Sequence, residues 1–257
     1  MRRTITAELT KLRTLPVALG AIAAALFLPP ALAVLMGLNQ PAGRNPQGQG
    51  FEAAGFGQPL VILLAAVIVG SEYRNGLLRS TQLATPRRVR LLGAKVIIIA
   101  GLTFTLAIVS TGLAVLLRQA VLGDDGIPPS EFSSGMWLNL LSIGINWMLI
   151  ALISAALTVL ARSLLLPVIV LVPLVLGLGV ALVSVLPWLK YAPDLAGLQL
   201  ISRYPGIGLL DPVPGGVVMA AWAAALLLPA FIVFTRRDAC PDGLRPTGPA
   251  GVRRVGR

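Results

Sequence analysis

The sequence predicts an all-α integral membrane protein. Six transmembrane helices are expected, with an N-terminal interfacial amphipathic helix and a short cytoplasmic helical segment between spans two and three. Three observations carry this. Of 257 residues, 56% are hydrophobic and only 12% charged, against about 25% charged in soluble domains. The apolar runs continue unbroken for about 20 residues, the length that crosses a bilayer as a helix, whereas barrel strands would alternate in polarity. The charges gather between those runs in short segments, and the basic ones fall mostly on one side of the predicted membrane.

Residues 1–15 are basic and place Ile5, Leu9 and Leu12 at i, i+4 and i+7, with Arg3, Glu8 and Lys11 elsewhere on the wheel. That spacing suits a helix lying in the interface. Span one is read as 16–38. Pro29-Pro30-Ala31-Leu32-Ala33 after an apolar core has the look of a secretory cleavage site, but the apolar run goes on to Leu38, which favours a retained span broken or kinked at the prolines. Residues 39–50 are a turn-rich loop. Span two, 52–72, is fully apolar only from Pro59 to Gly70. Twelve residues rise about 18 Å, short of the ~30 Å hydrocarbon core, so the helix is expected to begin near Phe51 and to run on past Glu72.

Span three is read as 96–117 and is followed by a loop with Asp124, Asp125 and Glu131. Only Arg162 and Ser163 separate span four, 136–161, from span five, 164–186, which makes a tight helical hairpin. Residues 187–215 are the longest loop, and span six covers 216–234. The membrane domain thus occupies 1–235. The tail, 236–257, is basic and rich in Pro and Gly, a composition that reads as a disordered cytoplasmic extension.

Six spans put both termini on one side, and charge selects it. With the termini inside, 17 of the 21 Lys and Arg lie on the inner side, so the positive-inside rule gives a cytoplasmic N and C terminus. Trp137 and Trp188 then sit at the outer ends of spans four and five, where an aromatic belt is found.

The net charge of +11 would suit nucleic acid, but its confinement to loops between spans argues against that partner. There is no histidine, and Cys240 stands alone, so neither an intrachain disulfide nor a cysteine or histidine metal site is available. No phosphate-binding G-x-x-x-x-G-K-[ST] loop occurs. No Asp, Glu, Lys or Arg is firmly placed within a span, which argues against an autonomous proton-coupled pump. Asp124-Asp125, the only adjacent carboxylates, read as a solvated pair. Span four carries a polar stripe, Asn139, Ser142 and Asn146 at i, i+3 and i+7, with Ser154 and Thr158 further along. Two readings satisfy such groups: interhelical hydrogen bonds, worth about 0.6 kcal/mol each, or the lining of a substrate path.

The chain is organised around Ser71 to Lys95, SEYRNGLLRSTQLATPRRVRLLGAK. It holds Arg74, Arg79, Arg87, Arg88, Arg90 and Lys95 against one acid, Glu72. Thr85-Pro86 can serve as N-cap and first residue of a new helix, so the segment reads as a short helix-turn-helix. A bare reading makes its basic run a topological anchor, worth about 1 kcal/mol per Lys or Arg at an anionic surface.

The whole pattern resembles the permease subunit of a type-2 ABC transporter, the mostly exporting class. The likeness rests on Ala7 to Thr14, AELTKLRT, and more strongly on Gly70 to Lys95. It implies a six-span bacterial plasma-membrane protein working as a dimer, with a second copy or a homologous permease, among membrane lipid. Two copies of a separate ABC ATP-binding subunit would hold the ATP and Mg, and this chain would need no cofactor and catalyse nothing itself. Within the segment, Glu72, Tyr73, Gly76, Pro86, Arg87, Arg88 and Lys95 match the family's loop pattern. The resemblance assigns them, together with Arg74 and Arg79, to coupling with the ATPase subunit. A scaffold or assembly subunit of the same fold, or an intramembrane enzyme, are the alternatives. The sequence does not disclose the substrate.

Overall fold

The computed structural model describes residues 2–39, 46–71, 88–201 and 208–236. Within these the chain is all helical without strands, and six helices are long and apolar enough to cross a membrane. Helix α1, Arg2–Thr14, is separated only by Leu15 from α2, Pro16–Asn39, which is span one. Pro29 and Pro30 are both buried inside α2, and the helix runs through them to Asn39 rather than breaking. Membrane helices tolerate such prolines where neighbouring helices re-satisfy the freed backbone groups.

Span two begins as a 3₁₀ segment, Glu52–Gly57, and continues as α3, Gln58–Gly70. At 2.0 Å per 3₁₀ residue and 1.5 Å per α residue the two reach about 31 Å, the thickness of the hydrocarbon core. The early start expected near Phe51 is thus present, and continuation past Glu72 lies outside the described residues.

Span three differs from expectation. Helix α4 covers Arg88–Val121, 34 residues, about 51 Å long. It therefore carries Lys95 and Arg118 inside one continuous helix, both buried, although the sequence placed them in loops. Nothing between Arg88 and Val96 breaks a helix, and Leu91, Leu92 and Ala94 bury against the bundle, so the polar lead-in stays helical.

Span four is α5, Ser134–Ala161, capped by Ser133, whose side chain accepts from the Met136 amide. It ends on Arg162 in the left-handed conformation, φ 51°, which lets the chain turn at once into span five. Span five is α6, Leu165–Pro173, then a π turn, Leu174–Leu178, then α7, Gly179–Val183. Gly177, at φ 122°, breaks the helical path there, a conformation that needs glycine. Span six is α9, Pro212–Arg236.

The connection before span six is not the plain loop expected. A 3₁₀ turn, Pro187–Tyr191, leads to the short helix α8, Pro193–Leu198. Each opens on proline, which suits a first helical position. Leu189 and Leu195 bury with Val183, while Val180, Leu198 and Leu209 pack against them, so the segment folds back onto spans five and six. Span four is the axis of the bundle. It packs on α3, α4, α6 and α9, and Trp147 near its middle is among the largest fully buried side chains. Spans two and four are the most enclosed, whereas one, five and six present broad apolar faces outward.

Candidate functional site

The described residues that flank the Ser71–Lys95 segment form a joined cluster. Lys95 lies two turns into α4, and its Nζ is 2.5 Å from Glu8 Oε2 on α1. It also donates to the Ile68 carbonyl near the end of α3 at 3.4 Å. Lys95 is 1% exposed and the Glu8 side chain 9%. One ammonium therefore ties α1, span two and span three together. The arrangement follows from helical spacing, because Glu8 and Leu12 are four residues apart and share the face of α1 that is buried. The wheel reading set Glu8 apart from the inward stripe; the structure turns it inward, because a cation inside the bundle awaits it. A buried pair of this kind contributes little net stability, yet removing one partner costs about 3–5 kcal/mol because the other charge is stranded.

Span four adds a second contact at the same end. A Cβ on Gly70 would lie 3.0 Å from Leu164 Cβ and 3.4 Å from Thr158 Cγ2, so the end of span two sits directly on the hairpin joining spans four and five. The helical hairpin, α1 and the start of α4 thus surround the point where the chain enters residues 72–87.

Further along, span two is fastened to span four by side chains. Gln58 Nε2 donates to Asn146 Oδ1 at 2.7 Å, Trp147 Nε1 to the Ala54 carbonyl at 3.2 Å, and Ser154 Oγ to the Ile62 carbonyl at 2.8 Å. Asn146 Nδ2 also donates to the Gly197 carbonyl of α8 at 2.9 Å. Asn146, at no measurable exposure, is the point where span two, span four and the folded-back connection meet. Gly57 permits the close approach, since a Cβ there would lie 2.0 Å from the Trp147 ring.

The predicted site residues divide accordingly. Glu72, Tyr73, Arg74, Gly76, Arg79, Pro86 and Arg87 lie outside the described residues, as does the turn at Thr85-Pro86. Arg88 opens α4. Lys95 is engaged inside the chain, with Glu8 and the Ile68 carbonyl among its partners. On span four, Asn146 makes the bonds above, Ser142 Oγ donates back to the Leu138 carbonyl at 2.8 Å, and Asn139 is half-buried. Thr158 donates to the Ser154 carbonyl at 2.8 Å. Sequence reasoning missed Glu8 and Gln58; Glu8 is the one acid in the basic N-terminal stretch and Gln58 a lone polar residue at the head of an apolar run, and those are the signals that could have marked them. Among the described residues no group of three potential metal ligands occurs.

A family model described as ABC-2 family transporter protein matches residues 4–179. The match runs from α1 through the break in span five and includes the Glu8–Lys95 pair and the whole of the fastening between spans two and four. No curated protein matches the chain.

Proposed function

This chain belongs to the ABC-2 family of transporter membrane proteins, and from that premise we propose that it is the permease subunit of a bacterial ABC exporter driven through residues 71–95. Membership makes it a membrane component of an ABC-type transporter, and the family associates with an ATP-binding subunit. The further reading is that two copies of that subunit dock on the segment between spans two and three, that two permeases pair around the pathway, and that the ATPase face is cytoplasmic, with both termini.

The observation that supports this best is the Glu8–Lys95–Ile68 cluster. A transporter that hydrolyses nothing itself needs a stiff handle, and these contacts unite the helices on either side of the segment with α1. Spans two and four, fastened by Asn146, Trp147 and Ser154, would then move as one body with that handle. Glu72, Tyr73, Arg74, Gly76, Arg79, Pro86, Arg87 and Arg88 are proposed to meet the ATPase, while Lys95 holds the handle to the bundle. Purification from membranes tests the assignment. A soluble-sized ATP-hydrolysing chain should come down with this one in equal number. Inserting two glycines after Thr85 should leave that assembly in place while uncoupling flux from hydrolysis, because flexible residues absorb the motion. Unchanged flux at normal complex yield would reduce the segment to a topological anchor.

A further inference from the structure

Asp194, in the first turn of α8, is 5% exposed, and among the described residues neither carboxyl oxygen has a hydrogen-bond partner. Its surroundings are apolar. Val183, Leu189 and Leu195 are buried beside it, with Val180, Leu198 and Leu209 packed on them. The seat is made by glycine, for a Cβ at Gly179 would lie 2.0 Å from Asp194 Oδ2. Gly179 opens α7 directly after the π turn that Gly177 breaks, so the carboxyl rests where the path of span five is interrupted.

Among the described residues, the elements packed against α8 show no ion pair to Asp194. They are α9, the 3₁₀ turn, α5, the π turn and α7. The 3₁₀ turn carries Lys190 and Tyr191, and Lys190 Nζ lies over the Tyr191 ring, 5.3 Å from its centroid. Asp211, just before α9, is exposed, and Arg236 lies at the far end of that 25-residue helix. Helix α5, the π turn and α7 contain no titratable side chain.

We propose that Asp194 is a proton-operated latch: with its carboxyl neutral, α8 stays seated on the break in span five, and when the proton leaves, α8 lifts from that seat. A buried carboxylate with no partner is strongly disfavoured. Burial accordingly pushes the Asp194 carboxyl above the ordinary carboxylate range. The Leu195 and Asp194 amides lie near the carboxyl without the alignment of a full hydrogen bond and act in the opposite sense, with smaller effect. The linkage has one sign. At low pH both the seated and the lifted forms hold the proton. Above the ordinary carboxylate range the lifted form loses it first, so the seated form is weakened as pH rises until its own carboxyl ionises. Within that window the ratio of lifted to seated form rises up to tenfold per pH unit.

Lifting exposes Ala196, which is fully buried under α9 in the seated form. The test uses membrane vesicles holding the full complex, with Cys240→Ser and either Ala196→Cys or the exposed loop control Glu131→Cys. The rate of thiol alkylation at Ala196→Cys is divided by that at Glu131→Cys at each pH, which removes the titration of the thiol itself. The quotient should climb as pH rises above the ordinary carboxylate range, by up to tenfold per unit, and should stay flat with Asp194→Asn. Infrared difference spectra of the protein with isotopically labelled aspartate supply a measurement on native Asp194. They should show one protonated carboxyl lost over the same pH interval. A flat quotient with native Asp194 overturns the latch, as does an equal climb in Asp194→Asn. A quotient that follows added sodium or magnesium ions at fixed pH overturns it in favour of a cation site.

Discussion

Replacing Lys95 by methionine keeps most of the length of the side chain, without the ammonium, and strands the Glu8 carboxylate, whose ion partner is Lys95. A buried charge left without its partner costs about 3–5 kcal/mol. Helix α1 has a way out, because a single residue, Leu15, joins it to span one and it can swing away to hydrate Glu8. What opposes this is chiefly Leu12, 7% exposed, whose full burial is worth about 1.5–3 kcal/mol. The difference, roughly 1–2 kcal/mol in favour of release, corresponds to about a tenfold or greater population of detached α1. Glu8→Gln should be milder, because Lys95 keeps the Ile68 carbonyl, and Glu8→Leu with Lys95→Met should restore docking, as apolar replacement of a whole buried pair is often neutral or better. Amide exchange across residues 6–14, followed by mass spectrometry on the assembled complex, reads the release directly. Exchange should accelerate at least tenfold in Lys95→Met, since in the parent the burial of Leu12 keeps α1 mostly docked, and return toward the parent rate in the double variant. Equal exchange in all four proteins, or a double variant worse than either single one, would refute the account of the pair.

Gly57→Ala should lower thermal stability by about 1–3 kcal/mol through overpacking, since the added methyl meets the Trp147 ring; a melting curve in detergent checks it, and Gly55→Ala, with open space around it, is the control. Asn146→Leu should cost about 1–3 kcal/mol by leaving buried partners unsatisfied, and chemical cross-linking between α8 and span four should fall with it. In intact cells a cysteine at Gly48 should react with an impermeant thiol reagent and one at Ser80 should not; labelling at Ser80 alone would reverse the orientation read from charge.

The six spans were legible because length and hydropathy are local properties of the chain. Their ends were less so. Span three extends back to Arg88 because the cost of carrying Lys95 into the bundle is offset by an acid 87 residues away, and no window of sequence contains both. The same distance hides the partnership of Gln58 with Asn146. The stripe on span four was visible as a period, but a period does not say which neighbour it faces. The folded-back connection was read as loop because α8 has only six residues, too few for any helical repeat to show, and because its stability comes from packing on spans five and six.

These contacts decide where movement can occur. Three side-chain bonds hold span two to span four along their length, and sliding one past the other would break all of them within a closely packed interior. Asn146, Ser154 and Thr158 are fully buried and bonded; Asn146 and Ser154 are occupied with fastening in this conformation, and Thr158 bonds back to its own helix. Span five is built differently. Its helix is interrupted at Gly177, its exposed face includes Leu165, Ile169 and Leu176, and its far end is reached by α8 and Asp194. Span six likewise presents Val213, Val217 and Leu228 outward. A displacement delivered at the Glu8–Lys95 cluster would therefore carry spans two and four as a unit, and the compliant parts are the break in span five and the seat of α8. An isolated change at Gly177 gives this division a direct test. Gly177→Ala, strained at a positive φ, should alter the exposure of α8 and leave the exchange of α1 untouched, whereas a bundle moving as one piece would change both.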